Sequence, residues 1–119
     1  MRGWAGLEQI RAGFQRGVMS MIILSLLKKE DMYGYQLVQE TERLSGGAVV
    51  TQEGSLYPVL YRLQDRGYIS DRKILVGKRM TRVYYHIEEA GEQYLQSLVQ
   101  EYNKLTKGIY QILQGEFVE

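Results

Sequence analysis

The sequence predicts a mainly α fold of the α+β class, with one two-stranded hairpin placed between three helices and a long C-terminal helix. Leu56, Val59, Leu60 and Leu63 repeat with the ~3.6-residue period of a helix. Two β-type segments then flank a basic tip, Gly77-Lys78-Arg79-Met80-Thr81-Arg82. This order is typical of a winged helix-turn-helix with a two-stranded wing and a long C-terminal dimerisation helix.

Composition indicates one globular domain with an appended helix. The chain has 119 residues, of which 45% are hydrophobic and 24% charged. It has no cysteine and a single histidine, His86, so neither a disulfide nor a thiolate or histidine metal cluster is expected. The longest apolar run, residues 18–27, is shorter than the ~20 residues that cross a bilayer. We predict a cytoplasmic protein that is not an enzyme and has no cofactor, metal or membrane partner.

The N-terminal part divides into an arm, residues 1–15, and a first core helix, residues 17–28. The arm carries apolar residues at helical spacing, Trp4, Leu7, Ile10 and Phe14. Four glycines in and beside it each weaken a free helix by up to ~1 kcal/mol, so the arm is expected to need a partner surface. The core helix is apolar around most of its circumference, which predicts a central position.

A second helix is predicted over residues 33–44, with Asp31 as a candidate N-cap. Its inward residues are Leu37, Val38 and Thr41. Ser45-Gly46-Gly47 is expected to end it, because glycine readily adopts the left-handed conformation found at helix ends.

The third helix contains Pro58, which is tolerated best in a first helical turn. We therefore expect its regular part to begin near Gly54 or Ser55. The two strands of the hairpin are predicted over residues 69–76 and 82–87, where tyrosine and β-branched residues suit a pleated sheet.

The last helix is predicted over residues 88–113 and carries a coiled-coil stripe. Apolar residues alternate at spacings of three and four, at Leu95, Leu98, Tyr102, Leu105, Ile109 and Ile112. A small domain has little room to bury such a stripe, so pairing with a second copy is favoured over packing against the N-terminal helix of the same chain, and both can occur together. The predicted domains are an arm (1–15), a winged helix-turn-helix (16–87) and a dimerisation helix (88–119).

Basic residues are concentrated in one part of a chain whose net charge is only +1. Residues 62–82 contain seven of them, Arg62, Arg66, Arg72, Lys73, Lys78, Arg79 and Arg82. Asp65 and Asp71 are the acidic residues of this segment, which leaves a local balance of seven minus two, or +5. Such a patch suits a polyanion bound on one face. The alternative is a solvated, charged hairpin.

Four segments of the chain resemble the PadR family of transcriptional regulators. They are Met32-Tyr33-Gly34-Tyr35-Gln36-Leu37, Glu53-Gly54-Ser55-Leu56-Tyr57-Pro58-Val59-Leu60-Tyr61-Arg62-Leu63, Gly67-Tyr68-Ile69 and Arg82-Val83-Tyr84-Tyr85-His86-Ile87-Glu88-Glu89-Ala90-Gly91. The resemblance covers residues 17–91 in order and spacing. The short chain with one long last helix is similar to the compact, multidrug-responsive branch of that family.

This resemblance implies a homodimeric transcriptional repressor that binds double-stranded DNA. Its third helix would enter the major groove, its wing would touch phosphate or minor groove, and its operator would be pseudo-palindromic with half-sites ~one helical turn apart. Relatives of the compact branch bind a small aromatic effector between subunits. In those relatives the effector often lies against an aromatic residue of the last helix, frequently tryptophan, and the corresponding residue here is Tyr102. The wing also differs from that of many relatives, because it has Met80 and Thr81 where they have a denser run of basic residues.

The candidate DNA-binding residues come from the third helix, its entrance and the hairpin. They are Thr51, Gln52, Ser55, Tyr57, Arg62, Lys78, Arg79 and Arg82. Four of them have a structural alternative: packing into the core for Tyr57, helix capping for Thr51 and Gln52, and a surface ion pair for Arg62. Side chains at a hairpin tip do not pack into the core, so Lys78, Arg79 and Arg82 are the stronger candidates for electrostatic contact with DNA phosphates.

The candidate effector residues are Trp4, Tyr94 and Tyr102, with ordinary dimer packing as the alternative. Six further tyrosines are expected in the core or at its rim: Tyr33, Tyr35, Tyr61, Tyr68, Tyr84 and Tyr85. A rival function is a winged-helix module that binds protein without DNA. An enzyme is disfavoured because no serine–histidine–acid set or carboxylate pair follows from the spacing.

Overall fold

The computed structural model describes the backbone of residues 2–114 and the side chains of residues 9–114. In this part of the chain, four helices pack with a three-stranded antiparallel sheet. The elements are α1 (Arg2–Lys29), β1 (Met32–Tyr33), α2 (Gly34–Leu44), α3 (Glu53–Asp65), β2 (Ile69–Val76), β3 (Met80–Ile87) and α4 (Glu89–Leu113). The strand order is β1-β3-β2. The prediction of a mainly helical α+β fold is confirmed, and the sheet has one strand, β1, in addition to the two predicted for the wing.

Helix α1 runs without a break through the segment predicted as a separate arm. Its glycines do not interrupt it, because α1 packs on the rest of the domain. The Gln15 side chain donates a hydrogen bond to the Val50 carbonyl at 2.9 Å and accepts one from the Val50 N–H at 3.3 Å. Tertiary contacts of this kind supply the order that isolated helix propensity lacks.

By length and composition, Gln9–Lys29 of α1 is apolar enough to cross a membrane, with a mean hydropathy of 1.3. This segment is longer than the apolar run that the sequence analysis considered. Its most apolar stretch nevertheless lies inside the domain, where Ile23, Leu24 and Leu27 are fully buried. A helix that buries its apolar face against its own domain is a core helix.

The inward faces predicted for the second and third helices are confirmed. Leu37 is fully buried, Val38 packs against the core, and Thr41 is buried. The Thr41 hydroxyl donates to the Leu37 carbonyl at 2.7 Å, which satisfies the polar atom. On α3 the buried residues are Leu56, Val59, Leu60 and Leu63.

The prediction that Asp31 caps the second helix is wrong. Residues 32 and 33 form strand β1, which pairs with β3, and α2 begins only at Gly34 with no side-chain cap. One Asp31 carboxylate oxygen lies 2.8 Å from His86 Nδ1, and the other accepts a bond from Arg72 at 3.2 Å. Asp31 therefore joins the start of β1 to both strands of the hairpin, and His86 has a structural contact.

Helix α3 begins at Glu53, slightly earlier than predicted, so Pro58 lies inside the helix and beyond its first turn. Proline has no N–H to bond the carbonyl of Gly54. Gly54 is exposed, so solvent can bond the carbonyl that the helix leaves free. The helix ends at Asp65. Gly67 follows with a φ of 77°, which permits the Tyr68 N–H to bond the Leu63 carbonyl at 2.9 Å.

The hairpin and the last helix agree closely with the sequence predictions. Strand β2 has the predicted bounds, β3 begins two residues earlier than predicted, and Gly77 enters the connecting turn with a φ of 72°. Helix α4 starts at Glu89 and ends at Leu113. Its first turns pack on Tyr68, whose ring stacks on Tyr94 at 4.2 Å between centroids.

Gly91 permits this close approach of α4 to the body of the domain. A Cβ at this position would overlap the Tyr68 carbonyl oxygen, a backbone atom. That carbonyl also accepts a hydrogen bond from the Glu88 N–H at 2.9 Å. Gly91 therefore sets how closely the long helix joins the winged domain.

We expect Gly91→Ala to destabilise the protein by ~2 kcal/mol or more, because the new methyl group forces α4 away from Tyr68. Gly108→Ala, in the same helix, is the matched control. Nothing lies within 4 Å of the Cβ position at Gly108, so the higher helix propensity of alanine should raise the free energy of unfolding by as much as ~1 kcal/mol. Urea unfolding at one fixed protein concentration measures both changes. Equal effects of the two substitutions would contradict the packing argument.

Candidate nucleic-acid interface

Helix α3 presents one apolar face to the core and its opposite side to solvent. Ser55 and Arg62 are exposed on one flank, and Tyr57 lies half-buried on the other. Tyr61 points away from the buried face and is 59% exposed. The exposed side therefore offers a hydroxyl, a guanidinium and an aromatic ring, which are groups suited to contact a nucleic acid.

Tyr57 is held by contacts within the domain. Its hydroxyl donates to a Glu53 carboxylate oxygen at 2.9 Å, and its ring stacks on Tyr61 with centroids 6.1 Å apart. It also lies against the start of α2, where a Cβ on Gly34 would come within 2.6 Å of the hydroxyl. Burial, and next the bond to Glu53, raise the pKa of Tyr57. The neutral Tyr57 hydroxyl therefore already has a hydrogen-bond partner within the domain. This agrees with the alternative given for Tyr57, that its side chain packs within the domain.

The expectation that the other tyrosines pack in the core or at its rim does not hold for two of them. Tyr61 and Tyr35 expose 59% and 51% of their surface. Tyr85 does lie in the core, and burial raises its pKa to about 12. Tyr61 is the candidate that sequence reasoning missed, although its helical position opposite the buried leucines of α3 carried the signal.

The entrance of α3 leaves its polar side chains available. Gln52 occupies the N-cap position but makes no side-chain cap bond, so the capping alternative is wrong for it. Its backbone carbonyl instead accepts from the Ser55 and Leu56 N–H groups at 3.0 Å. The Thr51 hydroxyl lies 3.5 Å from the Gln52 carbonyl, which is at the limit of hydrogen bonding.

The basic residues of the hairpin separate into two groups. Lys78 and Arg79 are exposed in the turn. Arg82 is half-buried, with its guanidinium 4.3 Å from the centroid of the Tyr33 ring, and Arg72 is paired with Asp31. The turn therefore keeps two of the three predicted wing cations at its tip, while Arg82 packs across β1 as a cation–π contact.

The N-terminal half of α1 forms a wall opposite α3 that the sequence analysis did not assign. A cleft of about 640 Å³ lies between them, with Arg11 and Arg16 on the α1 side and Ser55 and Arg62 on the α3 side. Thr51 and Gln52 also line it. Arg11 lies in the predicted arm, far in sequence from the basic segment 62–82, so the sequence pattern does not connect the two.

The heptad stripe of α4 is partly used within the chain. Leu95 is buried and Leu98 packs against the same core, so neither offers its full surface to a second copy. The rest of the stripe is exposed, namely Tyr102, Leu105, Ile109 and Ile112. On α1, Ile10 and Phe14 are exposed as well.

The candidate effector residues occupy different environments. Tyr94 stacks on Tyr68, and the side chain of Trp4 lies outside the described residues. Tyr102 borders an apolar cleft of about 440 Å³ between α1, α2 and α4. Aliphatic and thioether groups dominate its lining, including Met21, Ile22, Leu26, Leu44, Val49 and Val99. Within the part of the chain that the structure describes, no group of three or more histidine, cysteine or acidic residues is placed to hold a metal ion.

Comparison with protein families gives a match that covers more than half of the chain. Residues 23–97 match the family described as "Transcriptional regulator PadR-like family". Among curated proteins, the transcriptional regulator YqjI of Escherichia coli (strain K12) is 31% identical over 83 residues, which cover 70% of this chain and 38% of YqjI. The chain thus spans well under half the length of that relative, whose name is that of a regulator and not of an enzyme.

Solved structures agree with this match. A PadR-like transcriptional regulator from Bacillus cereus strain ATCC 14579 is 30% identical, covers 87% of this chain and 99% of its own, and superposes with a TM-score of 0.73. PadR of Bacillus subtilis, solved in complex with operator DNA, is 27% identical with a TM-score of 0.65. That match covers 69% of this chain and 47% of the PadR chain.

Proposed function

Because the chain belongs to the PadR-like family of transcriptional regulators, we propose that it is a homodimeric repressor that binds a pseudo-palindromic operator in double-stranded DNA. The observation that carries this proposal is the combination, on one domain, of the exposed side of α3 with the basic turn at Lys78 and Arg79. A solved relative, PadR of Bacillus subtilis, is in complex with operator DNA. DNA as the partner implies action in the cytoplasm.

The proposed contacts assign different tasks to α3 and to the wing. An α-helix fits the major groove, which is ~12 Å wide and displays base edges. Gln52, Ser55 and Tyr61 are the side chains we assign to base edges, with Thr51 and Arg62 at the flanking phosphates. Lys78 and Arg79 bind backbone phosphate from the wing tip, which contributes affinity without sequence information. Tyr57 and Arg82 act mainly by positioning α3 and the wing.

The proposed dimer is formed by the exposed part of the α4 stripe. Tyr102, Leu105, Ile109 and Ile112 are apolar or aromatic and exposed, and contiguous exposed apolar surface is typical of interaction sites. A two-fold pairing of this surface uses the same patch on both copies. It also presents two copies of α3, which is what an operator with two half-sites ~one helical turn apart requires.

We further propose that a small aromatic effector binds at the dimer interface and controls DNA binding. Tyr102 supports this role because it borders the apolar cleft between α1, α2 and α4 and remains exposed. An effector that favours one arrangement of the subunits shifts the population away from the arrangement that fits both half-sites. Repression then ends when the bound population falls.

Alanine at both Lys78 and Arg79 is expected to weaken DNA binding and to reduce the salt dependence of log affinity by ~2 units, because each neutralised phosphate contributes ~0.9. Fluorescence anisotropy with the chain's own promoter and a random duplex, at several salt concentrations, measures both quantities. The control is alanine at Lys104 and Lys107, exposed residues of α4 that remove the same charge. A wild-type protein with no preference for its promoter over random duplex would refute the repressor proposal, and retained binding to a protein partner would favour the rival module.

Ile109→Glu is expected to convert the dimer into a monomer at micromolar concentration, because it places a charge in the proposed apolar seam. Sedimentation velocity measures the association state. Lys107→Glu is the control, since both side chains are exposed on α4 and Lys107 lies outside the heptad stripe. A monomeric wild-type protein, or an Ile109→Glu variant that still dimerises, would argue against this interface.

Tyr102→Ala is expected to weaken binding of a planar aromatic dye by ~3- to 10-fold, the usual worth of an aromatic stacking contact. Isothermal titration of the protein without DNA avoids dye intercalation into the duplex. Tyr35→Ala is the control, because Tyr35 is an exposed tyrosine on α2 outside the cleft. Absence of dye binding to the wild type, or equal losses in both variants, would exclude Tyr102 as an effector contact.

A further inference from the structure

We propose that Arg11 and Arg16 of α1 bind backbone phosphates of the DNA strand that runs along the α1-facing flank of α3. This inference rests on the proposed DNA-binding function and extends it to a helix outside the helix-turn-helix and the wing. In this arrangement α1 is both a core element and a part of the DNA interface.

Position supports this assignment. Arg11 and Arg16 both border, from α1, the cleft of about 640 Å³ whose other wall carries Ser55 and Arg62 of α3. A helix seated in the major groove has a phosphate backbone along each of its flanks. The flank of α3 that bears Ser55 and Arg62 is the one that faces these two arginines.

This part of α1 is held in place. Gln15 lies between the two arginines in the sequence and also lines the cleft, and its side-chain amide makes two hydrogen bonds to the backbone of Val50. Val50 precedes the entrance of α3, so this contact fixes the N-terminal half of α1 relative to that entrance. Guanidinium groups on a positioned helix bind phosphate with a smaller loss of entropy than groups on a free arm.

Charge also favours an anion at this cleft. Within the part of the chain whose side chains the structure describes, no acidic residue lines the cleft. Among the side chains of residues 9–114, the ion pairs join Arg43 to Glu40 and Asp31 to Arg72 and His86, and none involves Arg11, Arg16 or Arg62. Three guanidiniums around one cleft, none of them in an ion pair with another residue of 9–114, favour an anion there, and arginine matches phosphate oxygens with paired N–H donors.

Contacts of this kind bind DNA of every sequence, because phosphates carry no base information. Removal of both arginines should therefore lower affinity for operator and for random duplex by the same factor. It should also reduce the salt dependence of log affinity by ~2 units. The preference for operator over random DNA should stay unchanged.

The experiment compares wild type, Arg11→Ala/Arg16→Ala and the charge-matched Lys104→Ala/Lys107→Ala by anisotropy on operator and random duplexes across a salt series. The expected result is a shallower slope in the arginine variant alone. A wild-type slope in that variant, with the wild type binding operator, would refute the role of Arg11 and Arg16 and leave the proposed function intact. A wild type that binds no DNA would refute the proposed function itself.

Two further variants keep the test decisive. Each single substitution, Arg11→Ala or Arg16→Ala, should reduce the slope by ~1 unit, so the test survives if the double variant folds poorly. Arg11→Lys/Arg16→Lys keeps the charge and should keep the slope. If the lysine variant loses as much slope as the alanine variant, charge is not the cause and phosphate binding by these residues is refuted.

Discussion

Burial of the inner face of α3 is the constraint on which the rest of the structure depends. Leu56 and Leu60 lie in the same apolar cluster as Ile23 and Leu24 of α1 and Leu37 of α2. Because the buried side of α3 is set by these contacts, its outer side and both flanks take fixed directions. The cleft toward α1, the packed Tyr57 flank and the exposed Tyr61 are all consequences of that one orientation.

The wing is positioned by a second set of contacts, which are polar and aromatic. Asp31 bonds both Arg72 and His86, and Arg82 lies over the Tyr33 ring. Arg72, His86 and Arg82 of the hairpin are therefore engaged in contacts that hold the hairpin against β1 and the residue before it. The charge available to a polyanion is therefore smaller than the total in the sequence and lies mainly at the turn and along the exposed flanks of α3 and α1.

Much of the fold was predictable because helix and strand periods are local properties. The inner faces of α2 and α3, the bounds of β2 and the extent of α4 all follow from spacings within each segment. The wrong predictions concern contacts between segments. Strand β1 is only two residues long and leaves no periodic signal. The helical spacing of the N-terminal arm could not show that the arm continues directly into the first core helix as α1.

The candidate site was predictable to a similar extent. Ser55, Arg62, Lys78 and Arg79 are exposed as the sequence suggested, while Tyr57 and Arg82 are largely engaged within the domain. Arg11 and Arg16 escaped notice because the cleft joins residues about forty positions apart in the chain. No spacing rule connects such distant residues.

The sequence by itself determined which face of each helix is apolar, where the hairpin turns and where the last helix carries its stripe, because these depend on residues a few positions apart. Only the tertiary structure decided which cations remain available and which helices border one cleft. The physical reason is that side chains such as Gln15 and Asp31 find partners 35 and 55 residues away, and such pairings depend on how the elements pack.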